Sequence, residues 1–207
     1  MKTIATLLIS FIISIASAQS PYEKGMTKGF DLWKNKKNDE AIQLFERIGK
    51  AEKENWIPYY YASQIHILSS FGEKDGKKVD ARLKKATEYL NEAKIWSKEN
   101  PEILIMEALL NTAYIAYDGA KYGMSLSPKI EMLYQKAKTI APKNPRVVLN
   151  HTEWKMGSAK FFGKDPNVFC PDVEKAILYF ENDTTDIPFY PRWGKERAEQ
   201  ILQNCNK

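Results

Sequence analysis

Residues 130–142 read IEMLYQKAKTIAP, and the spacing of four of these residues decides the fold class. Ile130, Tyr134 and Ala137 are four and three positions apart. Those spacings place their side chains on one face of an α-helix. Pro142 follows Ala137 by five positions. The stretch therefore predicts an amphipathic helix with one apolar face.

The same pattern recurs along the chain with a period near 45 residues. The large residues at its centre, Phe45, Leu90, Tyr134 and Phe180, are 45, 44 and 46 positions apart. A unit of this length hides its apolar face only by stacking on its neighbours, so the period predicts a helical solenoid. The residues four positions before each centre are Ala41, Ala86, Ile130 and Ala176, and those three positions after it are Ile48, Ala93, Ala137 and Asp183.

Prolines mark the boundaries between units. A proline is tolerated in the first turn of a helix, because the N–H that it lacks would be unpaired there, and it stops the preceding helix from running on. In each unit the next helix is expected to begin eleven positions after the large residue. These expected helix starts are Trp56, Pro101, Pro145 and Pro191.

The fold predicted from these signals is all-α, a right-handed solenoid of about four antiparallel helix pairs in a single domain over residues 22–205. Each pair consists of a helix A and a helix B, and a capping helix from about Arg192 to Asn204 closes the stack. Loops rich in Gly, Asp and Pro are expected between A and B at Gly72–Gly76, Gly119–Ser127 and Gly163–Pro171. The units span residues 22–55, 56–100, 101–144 and 145–190, and the cap spans 191–205.

Ile130, Tyr134, Ala137 and Pro142 resemble the conserved positions of the tetratricopeptide repeat (TPR). That repeat is usually 34 residues long, and the longer period here is assigned to the A-to-B loops. The resemblance covers nearly all of the chain after the first 21 residues, and it implies that the A helices line a concave groove. Asp183 departs from the pattern, because an alanine is expected there.

Three short strings also resemble exported repeat proteins related to the T component of tripartite ATP-independent periplasmic transporters. This second resemblance implies a periplasmic accessory protein that helps to pass on a small ligand or partner. No ligand residue is transferred from it, because the matching strings look structural. The strings are Asn144-Pro145-Arg146, Phe161-Phe162-Gly163 and Trp193-Gly194-Lys195.

The first 18 residues have the three regions of a secretory signal peptide: Met1-Lys2, an apolar run over residues 4–15, and Ala16-Ser17-Ala18. Cleavage is expected after Ala18. The run is shorter than the roughly 20 apolar residues that a membrane span needs, and no later segment qualifies. We therefore expect an exported protein, periplasmic or secreted, with no integral membrane segment after cleavage.

Export changes the interpretation of Cys170 and Cys205, the only two cysteines in the sequence. In an oxidising compartment an even number of cysteines favours pairing. A disulfide between them would tie the C-terminal helix to the fourth unit and would contribute roughly 3–4 kcal/mol in the chain-entropy model. The alternative, a catalytic thiol, needs a nearby base, and neither histidine is near in sequence.

The distribution of charge along the chain argues against a nucleic-acid binder. Without residues 1–18 the chain carries 30 basic and 26 acidic residues, a formal charge of +4. Its densest lysine clusters, at residues 34–37 and 74–85, are mixed with acids, whereas nucleic-acid binders cluster basic residues on one face or in a run. We therefore expect no nucleic-acid partner.

Chemistry at a metal or catalytic centre is not expected either. The two histidines, His66 and His151, are 85 positions apart, and a zinc site needs three or four clustered ligands. Nucleophile elbows, phosphate loops, dinucleotide fingerprints and metalloprotease motifs do not occur in the sequence. Acid pairs such as Asp183 with Asp186 lie in loops, where we expect them to be solvated. The prediction is a protein with no enzyme activity, no catalytic residue, no metal and no cofactor.

The A helices instead carry a surplus of aromatic residues, which offer rigid contact area in a groove, although core packing is the alternative for any one ring. The predicted function is an exported, non-enzymatic TPR-like interaction module that binds a protein or peptide in its concave groove. The alternative is a periplasmic small-ligand carrier or transporter accessory protein. The sequence indicates neither the partner's identity nor the oligomeric state. The candidate groove residues are Tyr60, Asn111, Tyr114, His151 and Lys155.

Overall fold

A computed structural model describes residues 20–205 as nine α-helices and one short 3₁₀ helix. The prediction of an all-α fold is confirmed for this part of the chain, and the predicted signal peptide lies outside it. The α-helices are α1 (Pro21–Lys34), α2 (Asn38–Ala51), α3 (Ile57–Ser70), α4 (Gly76–Trp96), α5 (Pro101–Tyr117), α6 (Gly119–Ile140), α7 (Pro145–Phe161), α8 (Cys170–Glu181) and α9 (Lys195–Cys205), and the 3₁₀ helix is Pro166–Phe169.

Each α-helix packs against the next one along the chain. In addition, α3 contacts α5, and α5 contacts α7. Most of the connections are short, and helices joined by short connections pack as antiparallel neighbours. The odd-numbered helices α3, α5 and α7 therefore form one layer, and α4 and α6 lie beside it. Pro101 and Pro145 are the first residues of α5 and α7, as predicted.

The recurring sequence pattern supplies much of the core. Phe45, Leu90 and Tyr134 expose at most 2% of their surface. The small or aliphatic residue four positions before each centre is completely buried in all four units. Burial of a large apolar side chain contributes about 1.5–3 kcal/mol. The repeated spacing therefore forms the inner stripe of the even-numbered helices.

One predicted loop is wrong. Residues Gly119–Ser127 are the first two turns of α6, and Asp118 alone connects α5 to α6. The carboxylate of Asp118 caps the helix by accepting the Lys121 backbone N–H at 3.0 Å. Tyr122 then packs on Tyr114 of α5, with ring centroids 5.2 Å apart. A glycine inside a helix costs only about 1 kcal/mol, so a cap and packing against α5 outweigh the glycines of this stretch.

The predicted helix start at Pro191 is also wrong. Helix α9 begins at Lys195, and residues 182–194 form an irregular segment that we call the strap. Gly194 ends the strap with a φ of +112°, and a Cβ there would lie 2.8 Å from the ring of Phe180. Only glycine fits a left-handed backbone in such close contact. The chain therefore cannot enter α9 before this residue.

A buried ionic network anchors the strap to the core. Arg146 of α7 is fully buried, and its Nε donates to both carboxylate oxygens of Glu102 at 2.9 Å. Its Nη1 donates to Asp183 of the strap at 2.6 Å. Asn144 donates to Glu102 as well, at 2.6 Å. Asp183, which was expected to be solvated, is therefore the acid that holds the strap against the start of α7.

The protonation of this network follows from its burial. Burial raises the pKa of Glu102 above its ordinary value, and the guanidinium of Arg146 opposes that shift. Burial alone would lower the pKa of Arg146. The carboxylates of Glu102 and Asp183 raise it above its ordinary value, so this side chain stays charged. A buried guanidinium needs charged partners, because an unpaired charge in the interior is costly. The three charged groups therefore depend on one another.

The two cysteines lie together at the C-terminal end of the fold. The Sγ atoms of Cys170 and Cys205 are 2.02 Å apart, at disulfide-bonding distance. Cys170 begins α8 and Cys205 ends α9. The pair therefore closes a loop that contains both helices and the strap between them.

Removal of Glu102 tests the ionic network. The Glu102→Ala variant leaves the buried Arg146 without its main partner, which typically costs about 3–5 kcal/mol. We expect a loss of that size in the free energy of unfolding, measured by urea denaturation. The control Glu99→Ala removes an exposed ion pair with Lys136, and we expect it to unfold at an unchanged urea concentration. Equal losses in the two variants would contradict the central role of Glu102.

Candidate functional site

The strap lies across α1 and α3 and is held there by aromatic contacts. The ring of Phe189 packs edge-on against Tyr22 at 5.6 Å and stacks on Phe30 at 6.0 Å between centroids. The hydroxyl of Tyr61 donates to the backbone carbonyl of Phe189 at 3.0 Å. Phe189 adopts a φ of +58°, which is unusual for a residue with a side chain. These contacts hold one strap ring inside a cluster of rings from the N-terminal helices.

An open pocket of about 340 Å³ lies between the strap and these two helices. Its size falls at the lower end of the range for small-molecule sites, and its walls are mostly aromatic. Helices α1 and α3 each contribute two lining residues, and the strap contributes the other four. The lining residues are Phe30, Trp33, Tyr61, Gln64, Phe189, Tyr190, Arg192 and Trp193.

Two polar side chains of the pocket can recognise a ligand. The side chain of Gln64 is buried, and its Oε1 accepts no hydrogen bond within the described part of the chain. A buried acceptor without a partner costs about 1–3 kcal/mol, so a donor group on a ligand would be favourable there. Arg192 lies at the exposed rim, where it donates to the carbonyl of Thr185 at 2.7 Å. The pocket thus combines flat apolar walls with one acceptor and one rim cation.

The two tyrosines of the pocket are neutral phenols. Burial raises the pKa of Tyr190 to about 12 and also raises the pKa of Tyr61. Neither side chain therefore offers a phenolate near neutral pH. The remaining lining residues include no imidazole and no thiol. The pocket is suited to holding a flat molecule by ring contacts, and its own groups supply no strong base or nucleophile.

The two histidines lie outside this pocket. His66 of α3 stacks on Tyr89 with centroids 5.8 Å apart, and burial lowers its pKa to about 4. His151 of α7 contacts Glu131 at 3.0 Å and stacks on Tyr134. Burial also lowers the pKa of His151, although Glu131 opposes the shift. Within residues 20–205, no group of three or more His, Cys, Asp and Glu side chains is placed to hold a metal ion.

The candidate groove residues make separate contacts. Tyr60 is completely buried, and its hydroxyl accepts the indole N–H of Trp193 at 2.9 Å. Asn111 donates to the carbonyl of Glu107 in its own helix at 2.8 Å. Tyr114 packs on Tyr122, as described above. Lys155 is half-buried, and its charge acts on both His151 and Glu131. Tyr60 is thus the candidate that contacts the strap, and a groove lined by all five stays a prediction.

Sequence reasoning missed the residues that line the pocket. Phe30 and Trp33 occur in a helix that was treated as ordinary scaffold, and no pocket was expected beside residues 182–194. One signal was present: residues 189–193 read FYPRW, three aromatic rings around a proline and an arginine. Such a density of large rings in a surface connection is typical of a segment that packs against other rings.

The pH dependence of stability tests the burial of His66. Its folded pKa of about 4 lies below the ordinary value of 6.5, so the unfolded chain binds more protons between these values and stability falls as the pH drops through them. Because His66 is partly exposed, we expect a reduced contribution of about 1 kcal/mol between pH 7 and pH 5.

The His66→Gln variant should therefore lose about 1 kcal/mol less than the parent chain over this interval, in urea denaturation at the two pH values. The carboxylates titrate alike in both chains and cancel in the comparison. An identical pH dependence would show that His66 is solvated in the folded protein.

The fold resembles that of a solved protein, the HusA haemophore from Porphyromonas gingivalis. The two structures align with a TM-score of 0.77 over 90% of this chain and 93% of that chain, at 20% sequence identity. No family model matches this chain, and no curated protein matches it in sequence. At this identity the likeness concerns the fold alone.

Proposed function

We propose that this protein binds, without chemical conversion, a flat aromatic molecule of the tetrapyrrole class, such as haem, in the pocket beneath the strap. One observation carries the proposal: six of the eight lining side chains are aromatic, and they surround one open pocket. The structural neighbour supports it, because that protein is a haemophore and has the same fold over nearly its whole length. The predicted export of this chain suits a ligand collected outside the cytoplasm.

The chemistry of a tetrapyrrole matches that of the pocket. Its ring faces are large, flat and apolar, and aromatic side chains pack on such faces in stacked or edge-on geometry. Its propionate carboxylates need a cation at the edge of the ring. Arg192 stands at the pocket rim with an exposed guanidinium, which forms strong charge-assisted hydrogen bonds with carboxylates. The rings would therefore provide affinity, and Arg192 would orient the ligand.

Ring contacts are proposed to hold the ligand without coordination of its iron. The pocket walls offer neutral phenols, and both histidines lie elsewhere, as described above. A ligand held through its ring faces does not depend on the metal at its centre. Metal-free protoporphyrin is therefore expected to bind about as tightly as haem.

A peptide or protein segment is the second candidate ligand. The strap is itself an irregular piece of chain that lies on this face, with Phe189 among the rings and its carbonyl bonded to Tyr61. The face can therefore hold a peptide that carries aromatic residues. In this alternative the bound segment takes the place of the strap. A transporter accessory role would be a version of either candidate, in which the bound molecule is passed on.

We also propose the finer architecture and the export of the protein that the sequence predicts. A right-handed solenoid of four TPR-like pairs in one domain is supported by the contacts of each helix with the next and of α3 with α5 and α5 with α7. Export is supported by the cysteine pair at disulfide-bonding distance, since such pairs persist in oxidising compartments. Among the described helices, none has the length and apolar character that a membrane span requires.

Haemin titration tests the proposed function. We expect saturable binding with a shifted Soret band, and a loss of affinity of at least about tenfold in the Trp33→Ala variant, since an aromatic pair contributes about 0.5–1.5 kcal/mol beyond the apolar area that it buries and tenfold corresponds to about 1.4 kcal/mol. The control Trp96→Ala removes an exposed indole at the end of α4, outside the pocket, and should bind as the parent chain does. Equal affinities of all three chains would exclude this pocket.

A strap peptide tests the second candidate. In the Phe189→Ala variant the strap loses its ring in the cluster, so the face should open to an added peptide. A fluorescent peptide of residues 184–194 is expected to bind this variant at least about tenfold more tightly than the parent chain, in fluorescence anisotropy, because the loss of one partly buried ring weakens the internal competitor. A peptide of scrambled sequence is the control. Equal binding of the two peptides would argue against a peptide site.

A further inference from the structure

The most exposed large apolar side chains of the described chain lie close to two of the connections between helices. Met124, Phe161, Phe162 and Val168 expose 94%, 83%, 72% and 66% of their surface. They lie near the connections from α5 to α6 and from α7 to α8. Contiguous exposed apolar surface usually marks a contact site.

The register of α6 and α7 brings these connections to one edge of the fold. His151 of α7 contacts Glu131 of α6 at 3.0 Å and stacks on Tyr134. Because the two helices are antiparallel neighbours, ten residues further along α7 correspond to ten residues earlier in α6. From this register we infer that the end of α7 lies on the same side of the fold as the start of α6.

The residues around the end of α7 form an exposed, hydrogen-bonded helix end. We call residues 160–164, Lys-Phe-Phe-Gly-Lys, the aromatic tip. The rings of Phe161 and Phe162 pack edge to face, with centroids 5.1 Å apart. Gly163 adopts a φ of +67°, and the N–H of Lys164 donates back to the carbonyl of Ala159 at 2.8 Å. This closed helix end holds both rings outward in a fixed position.

The charges around the tip are mainly positive. Lys160 and Lys164 flank the two rings along the chain. The acids of this edge, Asp118 and Asp165, accept backbone N–H groups of Lys121 and Asn167 as helix caps. Their charge therefore offsets helix N-termini, which carry partial positive charge of their own. An approaching surface meets apolar rings within a basic rim.

We propose that the aromatic tip docks this protein on an anionic lipid surface. The rings of Phe161 and Phe162 enter the boundary between headgroups and acyl chains, and the lysines contact lipid phosphates. Aromatic residues with a basic rim are suited to this interface, because buried apolar area and attraction to anionic lipids both add to binding. The tip projects from the fold, and a fluid surface closes around a projection without a complementary pocket.

Co-sedimentation with vesicles tests this proposal. The chain without residues 1–18 is expected to bind vesicles of equal parts phosphatidylglycerol and phosphatidylcholine, and at least about tenfold more weakly to pure phosphatidylcholine. The double variant Phe161→Ser/Phe162→Ser should weaken binding to the anionic vesicles at least about tenfold. Lys160→Gln/Lys164→Gln should reduce the preference for the anionic lipid several-fold.

The matched control is Ile95→Ser/Trp96→Ser, which changes an adjacent pair of exposed apolar residues at the end of α4. It should bind the anionic vesicles as the parent chain does. Thermal melting followed by circular dichroism verifies that each variant is folded. As a second measurement, a Trp at position 162, introduced as Phe162→Trp, should be quenched by brominated lipids more than the parent chain's own tryptophans are.

Two results would overturn the proposal. If the parent chain fails to sediment with anionic vesicles at low salt, the tip does not dock on lipid. If the Phe161→Ser/Phe162→Ser variant binds as strongly as the parent chain, the formal charge of +4 accounts for the binding and the rings take no part.

Discussion

The contact between Arg146 and Glu102 is the interaction on which the remaining structure depends. It joins the first turns of α5 and α7 in the interior, where a charge without a partner would be costly. Another nitrogen of the same guanidinium, Nη1, contacts Asp183, which belongs to the strap. The strap in turn forms one wall of the aromatic pocket. A single buried cation thus couples the helix stack to the surface that we propose binds the ligand.

The helices could be predicted where the residues that determine them lie close together in the sequence. The spacings around Phe45 and Tyr134 report which face of a helix is buried, and Pro101 and Pro145 report where a helix can start. The start of α6 was missed because its glycines and Pro128 suggest a loop, while the cap from Asp118 and the packing of Tyr122 on Tyr114 decide otherwise. Those stabilising contacts arise only when α5 and α6 meet.

Most of the candidate site could not be predicted from the sequence, because the residues that contact one another there are far apart along the chain. Tyr61 and Phe189 are 128 positions apart, and neither belongs to a recurring pattern that would link them. Asp183 was noticed as a departure from the repeat and as a solvated acid, although it provides a carboxylate for Arg146. The prediction of aromatic contact area on the A helices was closer, since Tyr60 and Tyr61 do meet the strap.

The strap has a further consequence for selectivity. Its two ends continue into α8 and α9, whose cysteines lie at disulfide-bonding distance, so the strap is tethered at both ends beside the pocket. A tethered segment of this kind acts as an internal competitor at an effective concentration on the order of millimolar. Any molecule that takes its place must bind more strongly than the strap does. For the peptide candidate, the strap would thus set a lower limit on the affinity of any segment that binds in its place.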